Sequence, residues 1–164
     1  MIGGRQGEVT APDFIQPVVG YRSWRLRGGA LLSPYVDGVA WDGQPLQARC
    51  MPYPSGLRPR GPHEVGAPGP RCECGIYAYF EPIRRLGGNP QLVFGAVVLW
   101  GRIEVHRDGM RAEWALPVAL ARDARHDPVE VERAAAAIGI AAVDERELEA
   151  TALQHGRALP RMVT

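Results

Sequence analysis

Between residues 17 and 121 the hydrophobic positions fall in short runs broken by glycine, proline and Asp-Gly pairs, a pattern of strands and tight turns. Val18-Val19-Gly20-Tyr21-Arg22-Ser23-Trp24-Arg25-Leu26 runs into the turn Arg27-Gly28-Gly29, and Ala30-Leu31-Leu32 returns from it. Further short strands are expected around Val39-Ala40-Trp41 and from Leu46 to Cys50. Ile76-Tyr77-Ala78-Tyr79-Phe80 suits either a buried strand or the opening of a short helix limited by Pro82, because so short a run carries no decisive period. Gly87-Gly88-Asn89-Pro90 marks a turn.

The clearest local pattern is a hairpin from Leu92 to Leu120 folded at Asp108-Gly109. A two-residue turn there pairs Arg107 with Met110, Val105 with Ala112 and Ile103 with Trp114, so the apolar residues share one face. The other face carries Arg102, Glu104, His106, Arg111 and Glu113, and in this register Glu104 lies opposite Glu113.

Beyond residue 121 the period changes to that of helices. Asp127-Pro128-Val129-Glu130 supplies an N-cap, a proline at the first helical position and an acid at the third. Val131, Ala134, Ala135 and Ile138 then form one apolar stripe, and Gly139 ends the helix. A second helix is expected from Asp144 through Leu148, Ala152 and His155 to Gly156, its thin stripe suited to a domain edge or a partner. The fold class expected is α+β, a small antiparallel barrel-like sheet followed by two C-terminal helices. Residues 1–16 form a flexible tail, 17–121 the β-rich domain, and 122–164 the helical segment.

One stretch fits neither pattern. Residues 51–71 hold six prolines and four glycines, so ten of 21 positions resist helix and paired strand alike. A structureless loop of that length inside a compact domain signals function or disorder.

Composition narrows the chemistry. All 19 basic residues are arginine, which removes Schiff-base, pyridoxal-phosphate and P-loop-lysine mechanisms. Ser23, Ser33, Ser55, Thr10, Thr151 and Thr164 are the only hydroxyl residues of their type, and none sits in a G-x-S-x-G turn. A net charge of +1 gives no reason to expect nucleic-acid or membrane-surface binding. The longest apolar run, Phe94 to Trp100, is too short to span a bilayer, and the N-terminus has no apolar signal region. With an odd number of cysteines, three, a closed disulfide framework is disfavoured and a cytoplasmic protein expected.

The three cysteines flank the Pro/Gly-rich loop. Cys50, His63, Cys72 and Cys74 together make a Cys3His set, the donor chemistry of tetrahedral zinc, and soft thiolates select zinc, copper(I) or iron over magnesium and calcium. A loop with so little packing needs a tie at its base, and these residues would provide it. Four protein ligands leave no open position, so such a site is structural rather than catalytic. Arg71 and the Gly75 amide are candidates for softening the thiolate charge. The bland alternative is three small buried hydrophobes and one loop histidine, and a third is a Cys72–Cys74 redox pair. The zinc-deaminase pattern fails: Glu64 follows His63 directly, and Cys72-Glu73-Cys74 is C-x-C rather than C-x-x-C. A second candidate is the hairpin face, where Glu104, His106 and Glu113 offer acid–base or metal chemistry, or simply a solvated surface. Trp24, Trp41, Trp100 and Trp114 are expected in the core.

His63-x4-Pro68-x3-Cys72-x-Cys74-Gly75-Ile76-Tyr77-Ala78 and the stretch from Leu99-Trp100-Gly101-Arg102 through His106, Gly109 and Arg111 to Glu113 resemble a group of small actinobacterial proteins, as do Tyr21-Arg22-Ser23-Trp24 and Trp41 to Cys50. The likeness covers about residues 18 to 120. It implies shared architecture and an actinobacterial origin, and it carries over no catalytic residue. The functional expectation is therefore a non-catalytic binding or regulatory module with a structural zinc clip, offering loop 51–71 or the last helix to a protein partner. The alternatives are a small hydrolase-type metalloenzyme using the Cys/His site or the Glu104/His106/Glu113 face, and an iron–sulfur or thiol redox sensor.

Overall fold

The structure, a computed structural model, describes residues 16–34, 36, 38–50, 66–69, 72–82 and 91–160. The tail 1–15, most of the loop 51–71 including His63 and Arg71, and the turn at 87–90 lie outside the described residues. Among the described residues eight strands form one sheet: β1 (Val18–Arg27), β2 (Ala30–Leu32), β3 (Ala40–Trp41), β4 (Leu46–Gln47), β5 (Ile76–Tyr79), β6 (Leu92–Val105), β7 (Gly109–Arg122) and β8 (Ala141–Asp144). Two helices, α1 (Pro128–Ala137) and α2 (Leu148–Ala152), follow β7. No helix among the described residues is long and apolar enough to cross a membrane.

The long β6–β7 hairpin is the frame. β1 runs along the other edge of β6, and β5 joins β7 to β1. The ladder thus runs in a ring, β1–β6–β7–β5–β1, but its last link is the single pair Tyr21–Tyr79, so the sheet is ring-like rather than a true barrel. Ile76–Tyr79 is a strand, with Ile76 and Ala78 buried and Tyr77 facing out.

The sheet has an apolar layer on each face. Inside the ring, Trp24, Leu31, Trp41, Val93, Val97, Leu99, Met110 and Leu120 pack with Val131, Ala134 and Ala135 of α1. On the outer face Val19, Tyr21, Ala96, Val98 and Val118 are covered by Leu148 and Ala152 of α2. Trp24 and Trp41 meet edge to face in the core as expected. Trp100 and Trp114 are instead half-buried and stacked on each other, their planes 5° apart.

Two bulges let the hairpin bend. Between the pairs Trp100–Trp114 and Ile103–Ala112, Gly101 and Arg102 oppose Glu113 alone. Gly101 has φ +78°, and a Cβ there would come within 2.8 Å of the Glu113 carboxylate, so the position requires glycine. The second bulge adjoins Pro117, whose missing N–H interrupts any regular ladder.

The hairpin register differs from the expected one. Val105 pairs with Met110, Glu104 with Arg111 and Ile103 with Ala112. The His106 N–H donates to the Gly109 carbonyl at 2.8 Å, so the two residues at the tip are Arg107 and Asp108, one position earlier than Asp108-Gly109. From Ile103 to Ala112 a slip of two positions leaves each side chain on its original face. Beyond the bulge it does not, and Trp114 stacks on Trp100 of the outer layer instead of joining Ile103 and Ala112 inside. The charges change as well: the observed register replaces a Glu104–Glu113 opposition with Glu104–Arg111.

The C-terminal segment is not wholly helical. α1 starts as expected, with the Asp127 carboxylate accepting the Val129 N–H at 3.0 Å, and Gly139 follows its end with φ +74°. Residues 141–144, however, form β8, parallel to β7 from Ala119 to Arg122. Parallel pairing needs a crossover of a dozen or so residues, and the segment containing α1 supplies it. Asp144 then caps a 3-10 turn, accepting the Arg146 N–H at 2.9 Å, and α2 ends at Ala152, short of the expected Gly156.

Candidate metal centre

β4 and β5 both run antiparallel to β7 and lie on the same edge of it. β4 pairs Leu46 with Ala115 and Gln47 with Trp114, and the Ala48 N–H continues to the Glu113 carbonyl at 2.7 Å. β5 resumes at Ile76 opposite Ala112. They are in effect one edge strand interrupted beside Glu113, and residues 49–75 leave and re-enter the sheet at that point. Cys50 stands at the exit, Cys72 and Cys74 at the return.

That geometry brings the three sulfurs together. Their Sγ atoms all lie within 4.8 Å of one another, with Cys50 and Cys72 at 3.6 Å. Two sulfurs bound at about 2.3 Å to one tetrahedral zinc would be about 3.8 Å apart, whereas a disulfide requires about 2.05 Å. None of the three is in a disulfide; Cys74 is buried, Cys50 and Cys72 half-buried. Among the described residues this is the one set of three or more His, Cys, Asp or Glu side chains that converges so closely.

Burial pushes the Cys74 thiol up to about 11; the Gly69 N–H, donating to its sulfur at 3.4 Å, works the other way, and the neighbouring Cys72 and Cys50 raise it further. Three thiols this close resist ionising together, which a dication at their centre reverses. A metal ion bound there would therefore displace protons.

Two arginines from the hairpin fasten the backbone around the sulfurs. Arg111, only 5% exposed, donates from Nη1 to the carbonyls of Cys72 and Cys74, the latter at 3.2 Å, and from Nη2 to Glu104 at 2.6 Å. Burial opposes its charge, but the Glu104 carboxylate more than offsets this and holds the guanidinium pKa above its ordinary value. The same hydrogen bond holds the Glu104 carboxyl below the ordinary range. Arg102, presented by the bulge, donates to the carbonyls of Gly66 at 3.0 Å and Pro68 at 3.2 Å. Gly75, at φ +125°, lets the chain pass: a Cβ would lie 3.1 Å from the Arg111 Cβ and 3.3 Å from that of Pro68.

Cys50, Cys72 and Cys74 are thus brought together, while His63 lies outside the described residues. Arg71, expected to balance the thiolates, is likewise outside; the cation found beside them is Arg111, and the observed amide donor to sulfur is Gly69 rather than Gly75. Arg111 was hidden in the sequence because it contacts Cys72 across 39 residues. The Glu104/His106/Glu113 face does not converge. Glu104 is held by Arg111, Glu113 accepts the Arg102 N–H at 3.1 Å, and His106 stacks on Tyr77 with ring centres 6.5 Å apart. Comparison with family models, curated proteins and solved structures finds no match to this chain.

Proposed function

We propose that this chain is a non-catalytic binding or regulatory module in which Cys50, Cys72 and Cys74, with His63 as fourth ligand, hold a structural zinc ion at the base of loop 51–71. The observation that carries this reading is the meeting of three thiols where one edge strand is interrupted. A closed Cys3His site supplies no catalytic position; it joins two chain ends that the sheet alone leaves unpaired. The surfaces offered to a protein partner are the loop so presented and α2, with no role in nucleic-acid or membrane binding. A cytoplasmic setting, where thiols stay reduced, agrees with three unbridged cysteines.

Cys72→Ser is the direct test. It should remove most of the zinc and lower the melting temperature by about 10 °C, with the loss confined to the metal-loaded form. A variant that keeps both zinc and stability would sink the proposal.

The 3.6 Å approach of Cys50 and Cys72 supports a second reading, a thiol redox sensor. A peroxide would take two electrons from the two thiols, forming one S–S bond and releasing water. Loss of two reactive thiols on peroxide treatment of metal-loaded protein, restored by dithiothreitol, would favour it over the clip.

A further inference from the structure

A cavity of about 290 Å³ lies between β1, β5 and the hairpin turn. Its lining combines Ser23, Tyr77, Tyr79, Met110 and Arg22 with the turn residues His106–Gly109. The Tyr77 and His106 rings stack to form one wall. Its size sits at the small end of ligand pockets, which run from about 300 Å³ upward.

Arg22 is the unusual member. Its guanidinium lies over the Trp41 ring at 4.6 Å and near Trp24 at 5.7 Å, so two indoles fix its plane. Nη1 donates to the Tyr77 carbonyl at 3.2 Å, while Nε is shielded from water and has no hydrogen-bond acceptor among the described residues. No described carboxylate forms an ion pair with it. Among the described lining residues the remaining charges are Arg107 and Asp108, which offset each other and leave Arg22 in excess. A cation held by aromatic rings without a counter-charge is expensive unless an anion joins it. Burial accordingly lowers the Arg22 pKa to about 10.

We infer that this cavity binds a small monocarboxylate with an aromatic or branched apolar body, its carboxylate on Arg22 and its body along Tyr77, Tyr79 and Met110. The rigid stacked guanidinium sets the position of the carboxylate, and the volume limits the body to about one ring. The inference is independent of the metal, since no cysteine lines the cavity.

The test is a titration of the unaltered protein, followed by amide NMR, with benzoate and with benzyl alcohol, which keeps the ring and lacks the charge. Benzoate should give saturable shifts at Ser23, Tyr77–Tyr79 and Gly109–Met110, and bind at least about tenfold tighter than benzyl alcohol. Arg22→Met should abolish that preference while benzyl alcohol still binds. If the variant fails to fold, the two-probe comparison on the unaltered protein decides alone. Equal affinity for the two probes, shifts centred elsewhere, or no saturation by benzoate, phenylacetate or isovalerate up to about 10 mM would overturn the inference.

Discussion

The same edge of β7 is completed twice, by different physics. Toward its C-terminal end, Ala119–Arg122 pair with β8, and α1 and α2 cover the two faces with Val131, Ala134, Leu148 and Ala152, all fully buried. Toward its N-terminal end, β4 and β5 contribute only two and four residues, and what holds their junction is polar: two arginines on four carbonyls and three sulfurs. Apolar burial is non-directional and grows with area, so it suits a continuous strand and its helices. At the interruption beside Glu113 no described strand residue pairs, and directional bonds to backbone carbonyls take over. The first kind of edge is held by apolar packing; the second rests on polar contacts around a sulfur cluster that could hold a metal ion, and the proposed zinc clip would make it depend on metal and on pH.

Three substitutions separate the two ends, in order of expected effect. Leu148→Ala removes a fully buried side chain from the outer layer and should destabilise the whole domain by about 3 kcal/mol, with zinc stoichiometry unchanged in denaturant unfolding of metal-loaded protein. Coupled loss of zinc in still-folded protein would break the contrast. Arg111→Met keeps the side-chain length and removes the bonds to Cys72, Cys74 and Glu104; it should cost about 2 kcal/mol and speed zinc release to a chelator, leaving amide exchange in β8 unaltered. Faster exchange in β8 equal to that in β5 would show that the two ends are one cooperative unit.

The smallest effect concerns the turn after β7. Burial would raise the Asp123 pKa, but the His126 ring at 2.7 Å and the N–H groups of Arg125 and His126 more than offset it, so the folded carboxyl sits below its ordinary value. A depressed folded pKa contributes stability above the ordinary aspartate range, lost as pH falls through the folded value. Asp123→Asn should therefore cost about 1 kcal/mol at pH 7 and nothing near pH 2. A cost independent of pH would contradict the assignment. The metal end should be steeper: zinc affinity should fall by about tenfold or more per pH unit on acidification, because each released thiol proton competes with the ion.

These contrasts also explain what the sequence could convey. Alternation and Gly or Asp-Gly turns announced β1, β2 and β3, and the Asp127-Pro128 cap announced α1, because those signals are local. Near the turn the hairpin faces were legible and its register was not: a two-residue slip preserves the faces there, and the Glu104–Arg111 ion pair distinguishes the alternatives. The bulge that moves Trp114 to the outer layer left no sequence signal beyond Gly101. β8 was missed because Ala141–Asp144 is four residues long and half-exposed, with no period to read, and its partner lies across a crossover. Three cysteines around a Pro/Gly-rich loop pointed to the candidate site, and the topology explains why they meet. The Arg111 and Arg102 staples were invisible, since in sequence they are two arginines among 19.

Elemental analysis of untagged protein purified without chelator, with thiols counted on the same sample, tests the central claim most directly. The account predicts about one zinc per chain and three thiols that react only after chelation or denaturation. Metal-free protein with three freely reactive thiols, or iron in place of zinc, would contradict it.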